Sequence, residues 1–595
     1  MTNLSGKKFI FYAAFTLLFA FLLIELFYLQ IYKGQKYLQH SESNRIRRYV
    51  IQPTRGLIYD RQGDILVDNT PSYSLSAIPF ECNKNDSVLT ILSNILHTPE
   101  QTLKKELRQA DSPFSPVKIK RNIDYSTLVQ VEERRLELPG VIYDVDPKRM
   151  YPYGVRAPHL FGYLGEIAKS ELERRSEENL RAGDYVGKSG IEKVYDRLLR
   201  GSVGYDFLEV DALGREIRDI HLEGEKAPKR GADLYLTLDA ELQLLAEKSL
   251  EGSRGSVVML DVRNGQVLVM TSKPDYDPHI FADVVTNKVW RELVNNEDRP
   301  LYDRAVQSAF PPGSTFKLVL AAAALEQGVV TPSYSVVCPG YMQFGRRVFH
   351  CWNAGGHGRV DMLHAIEQSC NVYFYNLSLK VNVDEWAEFA RRFGFGKRTG
   401  IDLLHEVSGL VPDSEYMNKT YGKRGWTRGN MLNLGIGQGD LLTTPLQLAQ
   451  FAAMMANRGH YFEPHLMYKS VHIEQQDTTF FQPVPHEVNG ITPETYEVLI
   501  EGTNMVIHGD MGTGKAAGVR GLSMCGKTGT AQNPHGEPHA WFIGFGPAQD
   551  PRVAICVLVE NGGGGGANAA PIAGKVLGRY FEKYPVLKEK FASRD

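Results

Sequence analysis

The sequence predicts an α+β protein with an N-terminal membrane helix, an extended non-catalytic segment and a domain built on a five-stranded antiparallel sheet flanked by helices. Three observations predict it. An apolar run extends from Phe9 to Ile31. Two strand-like stretches, Ser256–Val262 and Gln266–Ser272, open the C-terminal half, and three more close it around Met524–Ala531, His539–Gly544 and Arg552–Glu560. The helix-rich block lies between them, and strands at both ends with helices in the middle suit one antiparallel sheet covered by helices.

The chain has 595 residues, 43% of them apolar, enough for two to four domains with ample core. A net charge of −2 implies no general attraction to nucleic acid. Six cysteines in this length do not make a disulfide scaffold.

Lys7 and Lys8 precede the apolar run, and Glu25 is the only charge within it. As a helix the run would span about 34 Å, enough to cross a bilayer core. The flanking lysines favour a cytoplasmic N-terminus. No small-x-small cleavage site follows, so the run reads as an uncleaved signal anchor rather than a cleaved signal peptide. Residues 1–8 are then a cytoplasmic tail, 9–31 the span, and everything after about Lys33 lies outside the cytoplasm. Glu25 either meets a partner's membrane helix or sits hydrated near the outer interface.

Residues 40–230 are polar and mixed, without a catalytic constellation. Arg55-Gly56-Leu57-Ile58-Tyr59-Asp60-Arg61-Gln62-Gly63 reads as a short strand and a turn. Arg149-Met150-Tyr151-Pro152, the stretch His159 to Gly165, Gly187 to Glu192, and Leu199-Arg200-Gly201 read as structured, extended and punctuated by glycine. Residues 235–590 form the C-terminal domain. Asp239 is a plausible N-cap for a helix from Glu241, and Asn264-Gly265 is a favoured hairpin turn between the first two strands.

The chemistry centres on Phe310-Pro311-Pro312-Gly313-Ser314-Thr315-Phe316-Lys317, followed by an Ala/Leu run that stops at Gly328. Ser314 is expected to open a helix with Lys317 one turn on, on the same face. Serine needs a base beside it to act as a nucleophile, and a lysine with a lowered pKa can serve. A lone Ser-x-x-Lys is weak evidence; Ser5-Gly6-Lys7-Lys8 has the same form and only flanks the membrane run. Two companions strengthen it. Ser369-Cys370-Asn371 lies 55 residues beyond Ser314, and Lys527-Thr528-Gly529-Thr530 lies 158 beyond Ser369.

Each residue type suits a role. Ser314 can attack an amide or lactam carbonyl while Lys317 takes its proton, and Ser369 can pass a proton to the leaving nitrogen. Asn371 can hold a substrate amide. Lys527 can attract a substrate carboxylate and depress the pKa of Lys317, and Thr528 and Thr530 offer that carboxylate hydroxyls. Gly529 lets a substrate backbone lie close, and the amides of Ser314 and Thr530 are the expected oxyanion hole.

Cys338, Cys351, His357 and Cys370 form a second constellation. Three thiols and an imidazole suit a tetrahedral structural zinc, and Gly340, Gly355, Gly356 and Gly358 make the intervening segment loop-like. The competing readings are a Cys338–Cys351 disulfide and three unrelated core cysteines. Gly509 to Lys515 nearly matches a nucleotide P-loop, but Ala516 replaces the hydroxyl residue such a loop needs. Gly562 to Gly566 reads as a mobile loop at the cleft end, and Gly435-Ile436-Gly437-Gln438-Gly439 as a landmark at the back of the domain.

The three motifs in this order resemble those of class B penicillin-binding proteins, and Pro311-Pro312-Gly313-Ser314, His350-Cys351-Trp352 and Ser369-Cys370-Asn371-Val372-Tyr373-Phe374 resemble the elongation-type penicillin-binding protein 2 group within them. The resemblance covers nearly the whole chain. It implies a penicillin-binding, serine β-lactamase-like transpeptidase domain behind a non-catalytic pedestal of dimerisation type at 40–230. It implies a D,D-transpeptidase that cross-links peptidoglycan stem peptides during cell-wall elongation and cell-shape maintenance, with β-lactams as covalent inhibitors and no cofactor for the chemistry. It further implies anchoring in the bacterial inner membrane, a periplasmic catalytic domain, and a SEDS-family glycosyltransferase among elongation-complex membrane partners. The resemblance to some members of the group that look as though they carry a metal beside the second motif favours the zinc reading. The glutamate-containing motifs of glycosyltransferase domains in class A relatives are absent. The same residues would serve a D,D-carboxypeptidase, a β-lactamase or β-lactam sensor, or a scaffold whose main output is activating the polymerase.

Overall fold

The computed structural model describes residues 4–34, 46–83, 86–108, 113, 116–178, 180–181, 183–210, 216–219, 226–282 and 285–586. The first three residues of the expected cytoplasmic tail, the expected start of the pedestal at residue 40 and the last residues assigned to the C-terminal domain lie outside them. The chain forms two compact units.

One unit comprises residues 1–54, 73–144 and 201–231. Its helix Leu4–Phe27 continues into a π-type turn at Tyr28–Tyr32, and Lys8–Tyr32 is long and apolar enough to cross a membrane. Strand Ile46–Ile51 pairs antiparallel with Gly204–Val210. A separate small core gathers Leu89, Leu92, Leu103, Leu107, Leu128 and Val131 from three helices, Asp86–Leu96, Glu100–Leu107 and Tyr125–Glu133.

The other unit comprises residues 55–72, 145–200 and 232–595. At its centre lies a sheet of five strands: β1 (Gly255–Asp261), β2 (Val267–Met270), β3 (Cys525–Ala531), β4 (His539–Gly546) and β5 (Val553–Val559). Their order is β2-β1-β5-β4-β3 and every pair is antiparallel. Alternate residues of β1 enter different cores. Val257 and Met259 pack with helices Ala240–Ser249 and Ala570–Lys583, whereas Val258 and Leu260 share a core with helix Pro445–Ala456. Burial on both faces explains why β2 and β5 read as continuous apolar runs rather than alternating ones. Asp239 caps its helix by accepting from the Leu242 amide, and Gly265 takes φ +78° in the turn between β1 and β2.

The glycine-punctuated landmarks of residues 55–72 and 145–200 converge on one buried ionic node. Glu192 accepts from Arg55 Nη2 at 2.5 Å and from Arg149 Nε at 2.7 Å, and Asp196 pairs with Arg55 at 2.9 Å. Burial opposes the charge on Glu192, but the two guanidinium groups outweigh it and hold the carboxyl below the usual range. Glycines permit the close packing. A Cβ on Gly56 would sit 1.8 Å from the Ala232 carbonyl oxygen, and one on Gly187 would sit 1.8 Å from that of Glu192.

The run Gly562–Gly566, expected as a mobile loop, ends instead in a π-type turn at Gly565–Ala569 that leads into helix Ala570–Lys583. Gly565 is buried there, and a Cβ on it would meet the Trp541 carbonyl oxygen at 2.2 Å. Small size, not mobility, is what this position demands.

Candidate active site

Ser314 lies on a 3-10 turn, Gly313–Phe316, and the α-helix begins only at Lys317. The sequence pattern suggested that serine opened the helix. The turn is tighter because the Lys317 amide donates to the Ser314 carbonyl, three residues back. Gly313 adopts φ +57° and a Cβ there would stand 2.8 Å from the Thr530 carbonyl oxygen. The turn therefore touches β3 at Thr530, at the strand edge that also bears the Lys-Thr-Gly residues. Helix Lys317–Glu326 is buried on all sides through Ala324, as a helix with an apolar circumference must be.

Lys317 is fully buried, and its Nζ lies 2.8 Å from Ser369 O, 2.7 Å from Asn371 Oδ1 and 3.2 Å from Ser369 Oγ. The first two partners can only accept, so they take two N–H groups. In the neutral amine the remaining position is a lone pair, free to receive a hydroxyl proton. Burial pushes Lys317 down to about 8, opposed by the Cys370 and Cys351 sulfurs.

Ser369 is held at φ +54°, a left-handed conformation that costs most side chains about 1–2 kcal/mol. Helix Met362–Glu367 explains it. The Ser369 amide donates to Ile366 O and the Cys370 amide to Ala365 O, the paired bonds of a Schellman ending whose left-handed position is usually glycine. Serine occupies it here and brings its hydroxyl to Lys317. Asn371 is oriented by donating from Nδ2 to His350 O at 3.3 Å.

Lys527 is also fully buried, donating to Thr528 O at 3.1 Å. Burial first, and the Lys317 charge second, hold it well below its ordinary value. The expected lowering of Lys317 by Lys527 is not among its causes: burial leads for both amines, and the repulsion acts on Lys527. Thr528 Oγ1 lies 2.9 Å from Thr513 Oγ1. Gly529 faces the nucleophile turn, where a Cβ would stand 2.7 Å from Pro312 O.

Two contributors escaped the sequence reading. Gly437, at φ +75°, accepts from the Gly313 amide at 2.9 Å, and Gln438 donates from Nε2 to Thr530 O at 3.1 Å. The Gly435–Gly439 landmark therefore borders the site rather than the back of the domain. Only the glycine spacing hinted at close backbone approach.

Cys338, Cys351, His357 and Cys370 place their donor atoms within 4.8 Å of one another. His357 Nδ1 lies 3.6 Å from Cys338 Sγ and 3.5 Å from Cys351 Sγ. All six cysteines are free, so the Cys338–Cys351 disulfide is not formed, and the convergence argues against unrelated core thiols. The hydrogen bond from Cys370 holds the Cys351 sulfur well below the ordinary thiol range. Three thiols and an imidazole nitrogen at this spacing fit a tetrahedral metal set. A Cβ on Gly356 would stand 2.3 Å from Cys338 O, so the loop needs glycine to close around the cluster.

Two outcomes are expected. Lys317 must be neutral to accept a proton, and with its value lowered to about 8 the acylation rate should climb with pH towards 8 and level off above it. A β-lactam acylation profile flat from pH 6 to 9 would contradict a titrating amine. Ser369→Gly should relieve the left-handed strain and stabilise the fold by about 1 kcal/mol while acylation falls about 100-fold or more. Thermal melts paired with acylation rates check both halves.

The sequence matches the penicillin binding protein transpeptidase domain over residues 255–578 and the penicillin-binding protein dimerisation domain over 50–236. It is 36% identical to the peptidoglycan D,D-transpeptidase MrdA of Acinetobacter baumannii, over 91% of this chain and 82% of the relative. Among solved structures, penicillin-binding protein 2 of Helicobacter pylori in its complex with MreC superposes with a TM-score of 0.80 at 28% identity, over 91% of this chain and 99% of that one. A chain from a peptidoglycan synthase complex that coordinates polymerization and crosslinking has a TM-score of 0.72 at 28% identity, over 97% of this chain and 99% of that one. With its three motifs gathered around two buried lysines, the chain belongs to the penicillin-binding protein transpeptidase family, in its penicillin-binding protein 2 branch.

Proposed function

We propose that this chain is a membrane-anchored serine D,D-transpeptidase that cross-links peptidoglycan stem peptides during cell-wall elongation and cell-shape maintenance. The observation that carries the reading is the buried Lys317 amine, bonded to both Ser369 and Asn371 one helical turn from Ser314. Ser314 Oγ attacks the carbonyl of the penultimate D-alanine and Lys317 receives its proton. The Ser314 and Thr530 amides hold the developing oxyanion. Ser369 relays the proton to the leaving nitrogen, and terminal D-alanine departs. The amino group of a neighbouring stem then attacks the ester, completing the cross-link and restoring Ser314. Lys527, Thr528 and Thr530 receive the terminal carboxylate, and Gly529 leaves room for the donor backbone. An approaching carboxylate favours the charged form of Lys527, so the cation is present when its partner is. β-Lactams enter the same path and remain as slowly resolved esters.

The helix spanning Lys8–Tyr32, preceded by lysine, supports single-pass anchoring in the bacterial inner membrane with a cytoplasmic N-terminus and a periplasmic catalytic domain. The MreC complex of the Helicobacter pylori relative and the synthase-complex relative support docking with elongation-complex membrane proteins, a SEDS-family glycosyltransferase among them. Cys338, Cys351, His357 through Nδ1, and Cys370 would hold a structural zinc, which supplies no reaction chemistry but ties the hairpin Tyr341–His350 and its flanking loop to the turn bearing Ser369.

Fluorescent penicillin should label the wild type stably and lose Ser314→Ala and Lys317→Ala altogether. Purified wild type should join a D-Ala-D-Ala donor stem to an added amine acceptor. Release of D-alanine by hydrolysis alone would point to a carboxypeptidase instead. Metal analysis of untagged protein should find one zinc per chain, lost in Cys351→Ser. A metal-free wild type with full activity would sink the zinc assignment.

A further inference from the structure

Thr513 belongs to none of the three motifs, yet its hydroxyl stands between two of them. Thr513 Oγ1 lies 2.9 Å from Thr528 Oγ1 and donates to Glu367 O at 3.4 Å. Thr528 is the centre of Lys-Thr-Gly, and Glu367 ends the helix whose Schellman turn carries Ser369. The loop holding Thr513 is fixed from several sides. The Met511 amide donates to the buried Glu367 carboxylate at 2.9 Å, and the Gly514 amide donates to Val506 O at 2.9 Å. Gly566 closes over it, where a Cβ would meet Thr513 O at 2.5 Å.

One hydroxyl has one proton, and here it has two acceptors within reach. When Thr513 donates to the Glu367 carbonyl, the Thr528 contact can only be Thr528 donating to Thr513, which turns the Thr528 proton away from the cleft. When Thr513 donates to Thr528 Oγ1, the Thr528 proton is released to point at a ligand, and the chain of two bonds strengthens the outer one. A carboxylate in the cleft favours the second arrangement.

We propose that Thr513 is a positioning residue for carboxylate recognition: it turns the Thr528 hydroxyl towards the substrate by donating to it, and rests on Glu367 O when the cleft is empty. The inference deepens the transpeptidase reading and rests on its assignment of Thr528 to the substrate carboxylate.

The test compares second-order acylation by benzylpenicillin with acylation by its methyl ester, whose carboxylate is masked. Thr513→Val should slow the acid about tenfold and the ester less than about twofold. Thr513→Ser, which keeps the hydroxyl, should restore the acid to within about threefold of wild type. Equal loss for acid and ester, or no loss for either, overturns the proposal, since a merely structural threonine would not distinguish them. Should Thr513→Val fail to fold, Thr513→Ala carries the same comparison. Wild type that benzylpenicillin does not acylate would instead refute the transpeptidase reading itself.

Discussion

The burial of the Lys317 amine is the constraint on which the site depends. An ammonium taken out of water costs several kcal/mol unless it is paired, and among the described residues no carboxylate is a hydrogen-bond partner of Lys317. Burial lowers the amine to about 8, which brings its neutral form within reach near neutral pH, and two carbonyl-type oxygens accept its N–H groups. What would be an electrostatic fault in a structural core is, in the proposed reaction, what makes Lys317 available as a base. The apolar helix behind Lys317 supplies the desolvation and the Ser369 turn supplies the acceptors.

Strain and support are matched around that amine. Ser369 is left-handed because a helix ends beneath it, and the two Schellman bonds hold it there. Cys370, next in sequence, belongs to the Cys/His cluster, and Asn371 starts the following helix. Adjacent residues thus serve the cleft and the cluster in turn. Opposite them, Gly313, Gly437 and Gly529 let the nucleophile turn and β3 approach at backbone distance. The catalytic elements are therefore held by steric closeness at one wall and by hydrogen bonds at the other.

Away from the cleft, the ionic node of Arg55, Arg149, Glu192 and Asp196 organises the glycine-punctuated segments 55–72 and 145–200. Removing Glu192 would take a buried counter-charge from both Arg55 and Arg149, whereas Asp196 also pairs with Arg175 at 2.6 Å. The glycines beside them are spaced to let backbones meet, which is why the region reads in sequence as punctuation without apolar periodicity.

The sequence by itself determined the apolar N-terminal helix, the five-strand sheet and the three motifs around Ser314, Ser369 and Lys527, because apolar patterning, turn chemistry and residue type are local properties. It also brought forward Cys338, Cys351, His357 and Cys370, through donor type alone. Tertiary structure decided what depends on residues distant in the chain. That Gly437 and Gln438 border the cleft and that Thr513 backs Thr528 follow from packing between separated segments. It also decided that burial lowers Lys317. Desolvation is set by everything surrounding a group, and no spacing along the chain encodes it.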